Sequence, residues 1–171
     1  ALVVNSFSKY FSMAPWRLGW LVVPPAKVEA ARARMGNLFL PPAALSQHAA
    51  LAAFDCRDEL EGHMETYRRN RDLLLRALPE MGLRHIAPPD GAFYIYADIR
   101  HLTDDSMAFC KRLLLDTGVT TAPGIDFDPM DGKYFIRFSF AVATDQIEEA
   151  IRRMVPWFRH QKDRLPVNAV T

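Results

Sequence analysis

The chain has 171 residues, 50% of them hydrophobic and 24% charged, with a formal net charge of +1 at pH 7. This is the balance of a soluble globular chain with room for one proper core or two small ones, and so small a charge gives no electrostatic case for nucleic acid or an anionic membrane as partner. Cys56 and Cys110 form no C-x-x-C pair, which favours reduced thiols in the cytoplasm. No apolar run reaches transmembrane length, nothing at the start has the charged n-region and apolar core of a signal peptide, and His48, His63, His85, His101 and His160 show no metal-ligand spacing.

Two apolar runs, Ala1 to Val4 and Leu18 to Val23, read as strands joined by a long loop. The chain thus opens inside an apparent core strand without an initiating methionine, the start expected of a fragment. The loop carries Lys9 among Phe7, Tyr10, Phe11, Met13 and Trp16. Apolar surroundings disfavour an ammonium ion and favour the free amine, which is what condensation with a carbonyl needs. Ser6, Ser8 and Arg17 add hydroxyls and a planar guanidinium, suited to phosphate oxygens. A plain surface lysine is the competing reading.

Pro24-Pro25 closes the second strand and opens a helix carrying Val28, Ala31, Arg32 and Met35, with Gly36-Asn37 as its expected stop. Leu38 to Pro42 is an apolar connector, and a second helix covers about Ala43 to Ala53. The longest helix is expected over Arg57 to Leu78, with the stripe Leu60, Met64, Tyr67, Arg71, Leu74 and Leu78. Its acids come early and its arginines late, which complements the helix dipole. Leu83 to Ile86 reads as a short strand, Pro88 to Gly91 as a turn, and Ala92 to Ala97 as a strand dense in aromatic and β-branched residues.

Thr103 is the expected N-cap of a helix through Asp116, with Met107, Cys110, Leu113 and Leu114 inward and Gly118 as C-cap. A short strand follows over Val119 to Ala122, then a loop from Pro123 to Gly132. In the strand Tyr134 to Ala141, residues Tyr134, Ile136, Phe138 and Phe140 share one face and Phe135, Arg137 and Ser139 the other. A solvated outer face is the simplest role for Arg137; its rigid fork of donors also suits a carboxylate. Thr144 caps a final helix with Ile147, Ile151, Met154, Val155 and Phe158 inward, which Pro156 should kink or end early. The tail from about Gln161 is expected to be poorly ordered.

The pattern S-x-S-K, then eight positions from Lys9 to Arg17, then L-G-W, resembles the lysine motif of the class I/II aminotransferases, enzymes of fold type I that use pyridoxal 5′-phosphate (PLP). The run Pro89 to Tyr94 (P-x-G-A-F-Y) and the arginine strand around Arg137 resemble further markers of that family, in the same order along almost the whole chain. The resemblance implies an α/β chain of the PLP-dependent transferase fold type I. Residues 1–56 would be the C-terminal part of the large domain, 57–162 a linking helix and the small α+β C-terminal domain, and 163–171 a tail. It further implies that Lys9 carries PLP as a Schiff base and moves the substrate proton. Ser6, Ser8 and Arg17 would hold the phosphate and Arg137 the substrate α-carboxylate. Pro15 departs from the pattern, where a glycine commonly precedes the Trp-Arg pair, so a different local loop path is expected.

What the resemblance implies for function is a transaminase passing the amino group of an amino acid to a 2-oxo acid, as a homodimer without metal. The alternatives are a C–S lyase or decarboxylase of the same fold, or the PLP-sensing domain of a transcription regulator. In the family the pyridine-pairing aspartate, the ring-stacking aromatic and a Gly/Ser turn all precede the lysine. None has a matching position in this sequence, so the segment alone is expected to be inactive.

Overall fold

A computed structural model describes residues 1–162. They fall into two compact units, Ala1–Met64 and the part beginning at Glu65. In the first, β1 (Val3–Ser6) pairs antiparallel with β2 (Gly19–Val22), Val3 opposite Val22 and Ser6 opposite Gly19. The ribbon lies slightly inside the two apolar runs. Its closing pair needs a glycine, because a Cβ on Gly19 would run into the carbonyl oxygen of Asn5. After a 3-10 turn over Pro25–Lys27, α1 (Val28–Phe39) passes straight through Gly36-Asn37. Asn37 does not stop it, because its Nδ2 donates back to the Ala33 carbonyl at 2.8 Å. The helix ends instead at Leu40, which takes φ 55° ahead of Pro41, where the ring of the proline disfavours helical backbone. In α2 (Ala44–Ala53) the buried residues are Ser46 and Ala50. Ala50 joins Phe7 and Met13 in a small core flanked by Phe11, Leu18, Ala49 and Ala53.

Helix α3 (Arg57–Ala77) runs through the division between the units. In the second unit, β3 (Tyr94–Asp98), β4 (Ala122–Pro123) and β5 (Phe135–Ser139) form an antiparallel sheet of order β3-β5-β4. The segment expected as a strand over Leu83 to Ile86 makes only a single bridge, Ile86 to Ala97. From Phe135 to Phe140 the alternation read from the sequence holds: Ile136, Phe138 and Phe140 are buried while Arg137 is half-buried and Ser139 exposed. Tyr134, expected on the buried face, is half-buried and closes a 3-10 turn over Gly132–Tyr134 instead. The buried face packs with Leu74, Leu78, Ile95 and the residues of α4 (Ser106–Thr117) and α5 (Thr144–Lys162), where Phe109 lies 5.3 Å from Trp157 and 5.7 Å from Phe158 between ring centroids.

Four local expectations change. On the inner side of α3, Asn70 is buried (0% exposed) along with Leu60, Leu74 and Ala77, whereas Arg71, expected there, is half-buried and paired with Asp72 at 3.1 Å. Asn70 Nδ2 donates to the carbonyls of Phe140 (3.1 Å) and Val142 (2.8 Å), satisfying the backbone where β5 ends. The inward residues of α4 are Ser106, Phe109, Cys110 and Leu113, with Met107 and Leu114 exposed. Its N-cap is Asp105, whose carboxylate accepts from Ala108 N at 3.0 Å, while Thr103 Oγ1 is spent accepting from Asp105 N. Finally, α5 continues past Pro156 to Lys162: burial of Met154 and Phe158 on either side of the proline offsets its missing hydrogen bond. Of the tail expected from about Gln161, Gln161 and Lys162 belong to α5, and the rest lies outside the described residues. With Asp105 as the cap, Asp105→Ala is expected to lower stability by about 1 kcal/mol in a urea titration, and Thr103→Ala by less.

Candidate active site

The loop between β1 and β2 is closed on itself by backbone hydrogen bonds. Phe7 N donates to Leu18 O at 3.0 Å, which carries the antiparallel pairing one step beyond Ser6–Gly19. Met13 N donates to Phe7 O at 3.1 Å, and Ser12 N to Lys9 O at 3.0 Å. Lys9 therefore opens a tight four-residue turn whose base is pinned to the ribbon. Ser12 (φ 55°) and Arg17 (φ 52°) both take left-handed backbone, costing about 1–2 kcal/mol each for a residue with a Cβ. Such strain persists where the surroundings over-determine the chain, and it gathers at functional sites. Pro15 lies in the first turn of the 3-10 helix Ala14–Trp16, where its missing N–H and fixed φ suit the conformation.

Alternation along the strand sorts the side chains. Phe7 turns inward, its ring 4.8 Å from Phe11, 4.9 Å from Trp20 and 5.5 Å from Phe54. Ser6 and Ser8 lie on the opposite side. Lys9 is exposed, so the apolar enclosure expected for its amine is not formed: Phe7 and Met13 are drawn into the small core instead. Beside it the Tyr10 hydroxyl donates to Glu61 Oε1 at 2.8 Å. That bond, with burial and carboxylate charge adding to it, raises the tyrosine pKa above its ordinary value.

Ser6, Ser8 and Arg17, the residues expected to hold a phosphate, have donors to offer one. Ser6 Oγ accepts from Ser8 N at 3.0 Å and donates to Ser8 Oγ at 2.9 Å, so the remaining hydroxyl proton of Ser8 is left to point at an external acceptor. Arg17 is exposed, and its Nη1 donates to the Ala14 carbonyl at 2.9 Å, leaving the rest of its donor fork unspent. Residues 5–19 hold no acidic side chain, so nothing on the loop competes with an anion. A groove of about 810 Å³ lined by Arg17, Trp20, Arg32, Met35 and Phe39, among others, does not include Lys9. The lining of this groove is mainly apolar.

Arg137 belongs to the second unit, at the register position between Tyr96 of β3 and Ala122 of β4. It lines a pocket of about 310 Å³ together with Tyr94, Tyr96, Phe127 and Asp128. Its guanidinium carbon stands 4.3 Å from the Phe127 ring centroid and 5.2 Å from that of Tyr94. Its Nε is buried without a hydrogen-bond partner, and among the described residues no carboxylate pairs with it. Asp128 is occupied as a turn cap, its Oδ1 accepting from Met130 N at 2.9 Å and Asp131 N at 3.3 Å. Tyr96 stacks on Phe135 with the rings 4.8 Å apart and 1° from parallel; burial, and then the charge of Asp128, raise its pKa. Phe127 and Asn70 were not legible as site or anchor residues. The signals available were the Pro-Gly start of the loop holding Phe127, and the spacing of Asn70 between Tyr67 and Leu74.

Among the described residues no group of three or more His, Cys, Asp or Glu is placed to hold a metal ion, and no helix is long and apolar enough to cross a membrane. A pinned lysine turn and an arginine strand on a mixed α/β framework define the class. The chain belongs to the family of class I and II aminotransferases, whose model matches residues 1–154. It is 50% identical over 163 residues to the valine–pyruvate aminotransferase of Mycobacterium tuberculosis, covering 94% of this chain and 42% of that protein. It is 34% identical to an aspartate aminotransferase of Sulfurisphaera tokodaii, covering 90% and 39%. The crystal structure of an aminotransferase from Mycobacterium tuberculosis superposes with a TM-score of 0.90 at 50% identity, again over 94% of this chain and 42% of that one. The fold is therefore that of the PLP-dependent aminotransferases, and the chain spans about 42% of the length of the first of these relatives.

Proposed function

We propose that the chain supplies the lysine loop and the carboxylate-binding strand of a PLP-dependent transaminase that passes an amino group from an amino acid to a 2-oxo acid. The observation that carries this reading is the pinned turn: it presents Lys9 beside a paired hydroxyl set and an arginine with donors to spare. Lys9 would hold the cofactor, and Ser6, Ser8 and Arg17 its phosphate; when bound, the cofactor supplies the electron sink for the carbanion at Cα. Lys9 Nζ, as general base and then acid, takes and returns the substrate proton. Arg137 holds the α-carboxylate and so fixes which bond to Cα is presented for cleavage.

The name of the Mycobacterium tuberculosis relative makes valine and pyruvate the first donor and acceptor to try. The exposed Leu38, Phe39 and Leu40, each at least 70% accessible, support the homodimer reading, since a second copy would cover them. A cytoplasmic setting agrees with two free cysteines.

Product analysis on the complete PLP-loaded protein tests the reaction. Valine should give its 2-oxo acid with the amino group appearing on added pyruvate. Release of ammonia with pyruvate from a sulfur amino acid would mark a lyase, and loss of CO₂ a decarboxylase. Arg137→Lys should raise KM by roughly 10- to 100-fold, the equivalent of losing a charge-assisted bidentate contact. An unchanged KM would return Arg137 to the status of a surface residue.

A further inference from the structure

We infer that Phe127, with Tyr94, is a positioning residue for Arg137: the two rings hold the guanidinium by its π-face so that its N–H edge is presented to a carboxylate. The inference rests on the carboxylate reading of Arg137 and adds a residue to it.

Three observations lead there. The guanidinium carbon lies 4.3 Å from the Phe127 centroid and 5.2 Å from the Tyr94 centroid, both inside the range in which a cation is held by a ring quadrupole. Among the described residues no carboxylate fixes Arg137, and its Nε is buried without a partner. The rings are thus what orients a fork that would otherwise be free to rotate about its long stem. Thirdly, Phe127 is held by its backbone. Phe127 N and Asp128 N both donate to Gly124 O, at 2.9 and 3.0 Å, and Gly132 N donates to Asp128 O at 3.0 Å. Gly124 and Gly132 approach so closely that a Cβ on either would meet the other's carbonyl oxygen. A ring so firmly mounted is still 51% exposed. A large aromatic side chain that stays half in water on a rigid loop is poorly explained by core packing, and well explained by a partner on its covered face.

Tyr94 is mounted as firmly. It is the first residue of β3, pairs with Ser139, and so sits diagonally from Arg137 on the neighbouring strand. The residue two before it, Ala92, takes φ 60°, another left-handed non-glycine. A planar cation held by its face leaves its in-plane N–H groups for the ligand, and that geometry matches a carboxylate bidentately. Pre-orientation lowers the entropy lost on binding.

The test uses the complete PLP-loaded protein and 3-methylbutanoate, a monocarboxylate without an amino group that binds and does not react, followed by calorimetry. Phe127→Leu keeps the apolar bulk and removes the ring; it should weaken binding roughly 5- to 20-fold, and Phe127→Tyr should restore it to within about twofold. In ¹⁵N NMR of the arginine side chains, the Arg137 Nε–H signal should move or broaden in Phe127→Leu and return in Phe127→Tyr, a response that a merely structural role would not produce. Arg137→Gln separates the two levels. If Arg137→Gln abolishes binding while Phe127→Leu leaves both affinity and signal as in wild type, the positioning role is wrong and the carboxylate reading stands. If Arg137→Gln binds as wild type, the carboxylate reading fails, and the inference with it.

Discussion

Lys9→Ala is expected to reduce transamination on the order of 10⁴-fold or more, with almost no change in stability. Under the role proposed for Lys9, the activity loss would follow from removing both the point of cofactor attachment and the general base, the latter alone worth up to about 10⁴-fold. The small effect on stability follows from the backbone. The turn at Lys9 is closed by Ser12 N donating to Lys9 O and anchored by Met13 N donating to Phe7 O, and neither bond uses the lysine side chain. That side chain is exposed, and substitutions at such positions usually stay within about 0.5 kcal/mol. Lys9→Arg should be as inactive as alanine, since a guanidinium stays protonated at any working pH. Steady-state kinetics beside urea denaturation separates the two effects; a variant that lost activity only in proportion to lost folded protein would contradict the assignment.

Gly124→Ala is expected to be, with Gly132→Ala, among the most damaging single-methyl changes in the second unit. The added Cβ would meet the Gly132 carbonyl oxygen, the Tyr96 hydroxyl and the Phe135 Cβ. Two of these three are backbone or the first side-chain atom, so rotation cannot relieve the crowding. Overpacking of this kind costs about 1–3 kcal/mol, and the upper end applies because the loop must shift as a whole. Since that loop holds Phe127 and leads into β5, the carboxylate affinity proposed for Arg137 should fall along with the urea midpoint at constant m. Gly62 is the contrast. It lies within α3, and a Cβ added there would have nothing within 4 Å. Gly62→Ala should raise stability by up to about 1 kcal/mol through helix propensity.

Much of this was legible in the residues because the signals were local. The alternation on β5 follows from a period of two, and so Arg137 could be put on the face away from Ile136 and Phe138 without any structure. The lysine loop could be read because hydroxyls, amine and guanidinium fall on fifteen consecutive residues, Asn5 to Gly19. Less legible were choices decided by competition. Thr103 and Asp105 are both competent caps, and the threonine hydroxyl was claimed by Asp105 N, which left the carboxylate for the helix. On α3 the sequence spacing admits either Asn70 or Arg71, and the open carbonyls at Phe140 and Val142 decided for the amide. The mounting of Phe127 depends on Gly124 meeting Gly132 and on a contact to the sheet, and no periodicity within the loop carries that.

The most direct test of the central claim is chemical. The complete protein should be loaded with PLP, its visible absorption recorded, and the linkage reduced with borohydride before proteolysis and mass spectrometry. Attachment at Lys9 predicts a single stable phosphopyridoxyl adduct on the peptide containing that lysine, absent from Lys9→Ala; an adduct mapped to any other lysine, or none at all, would contradict it.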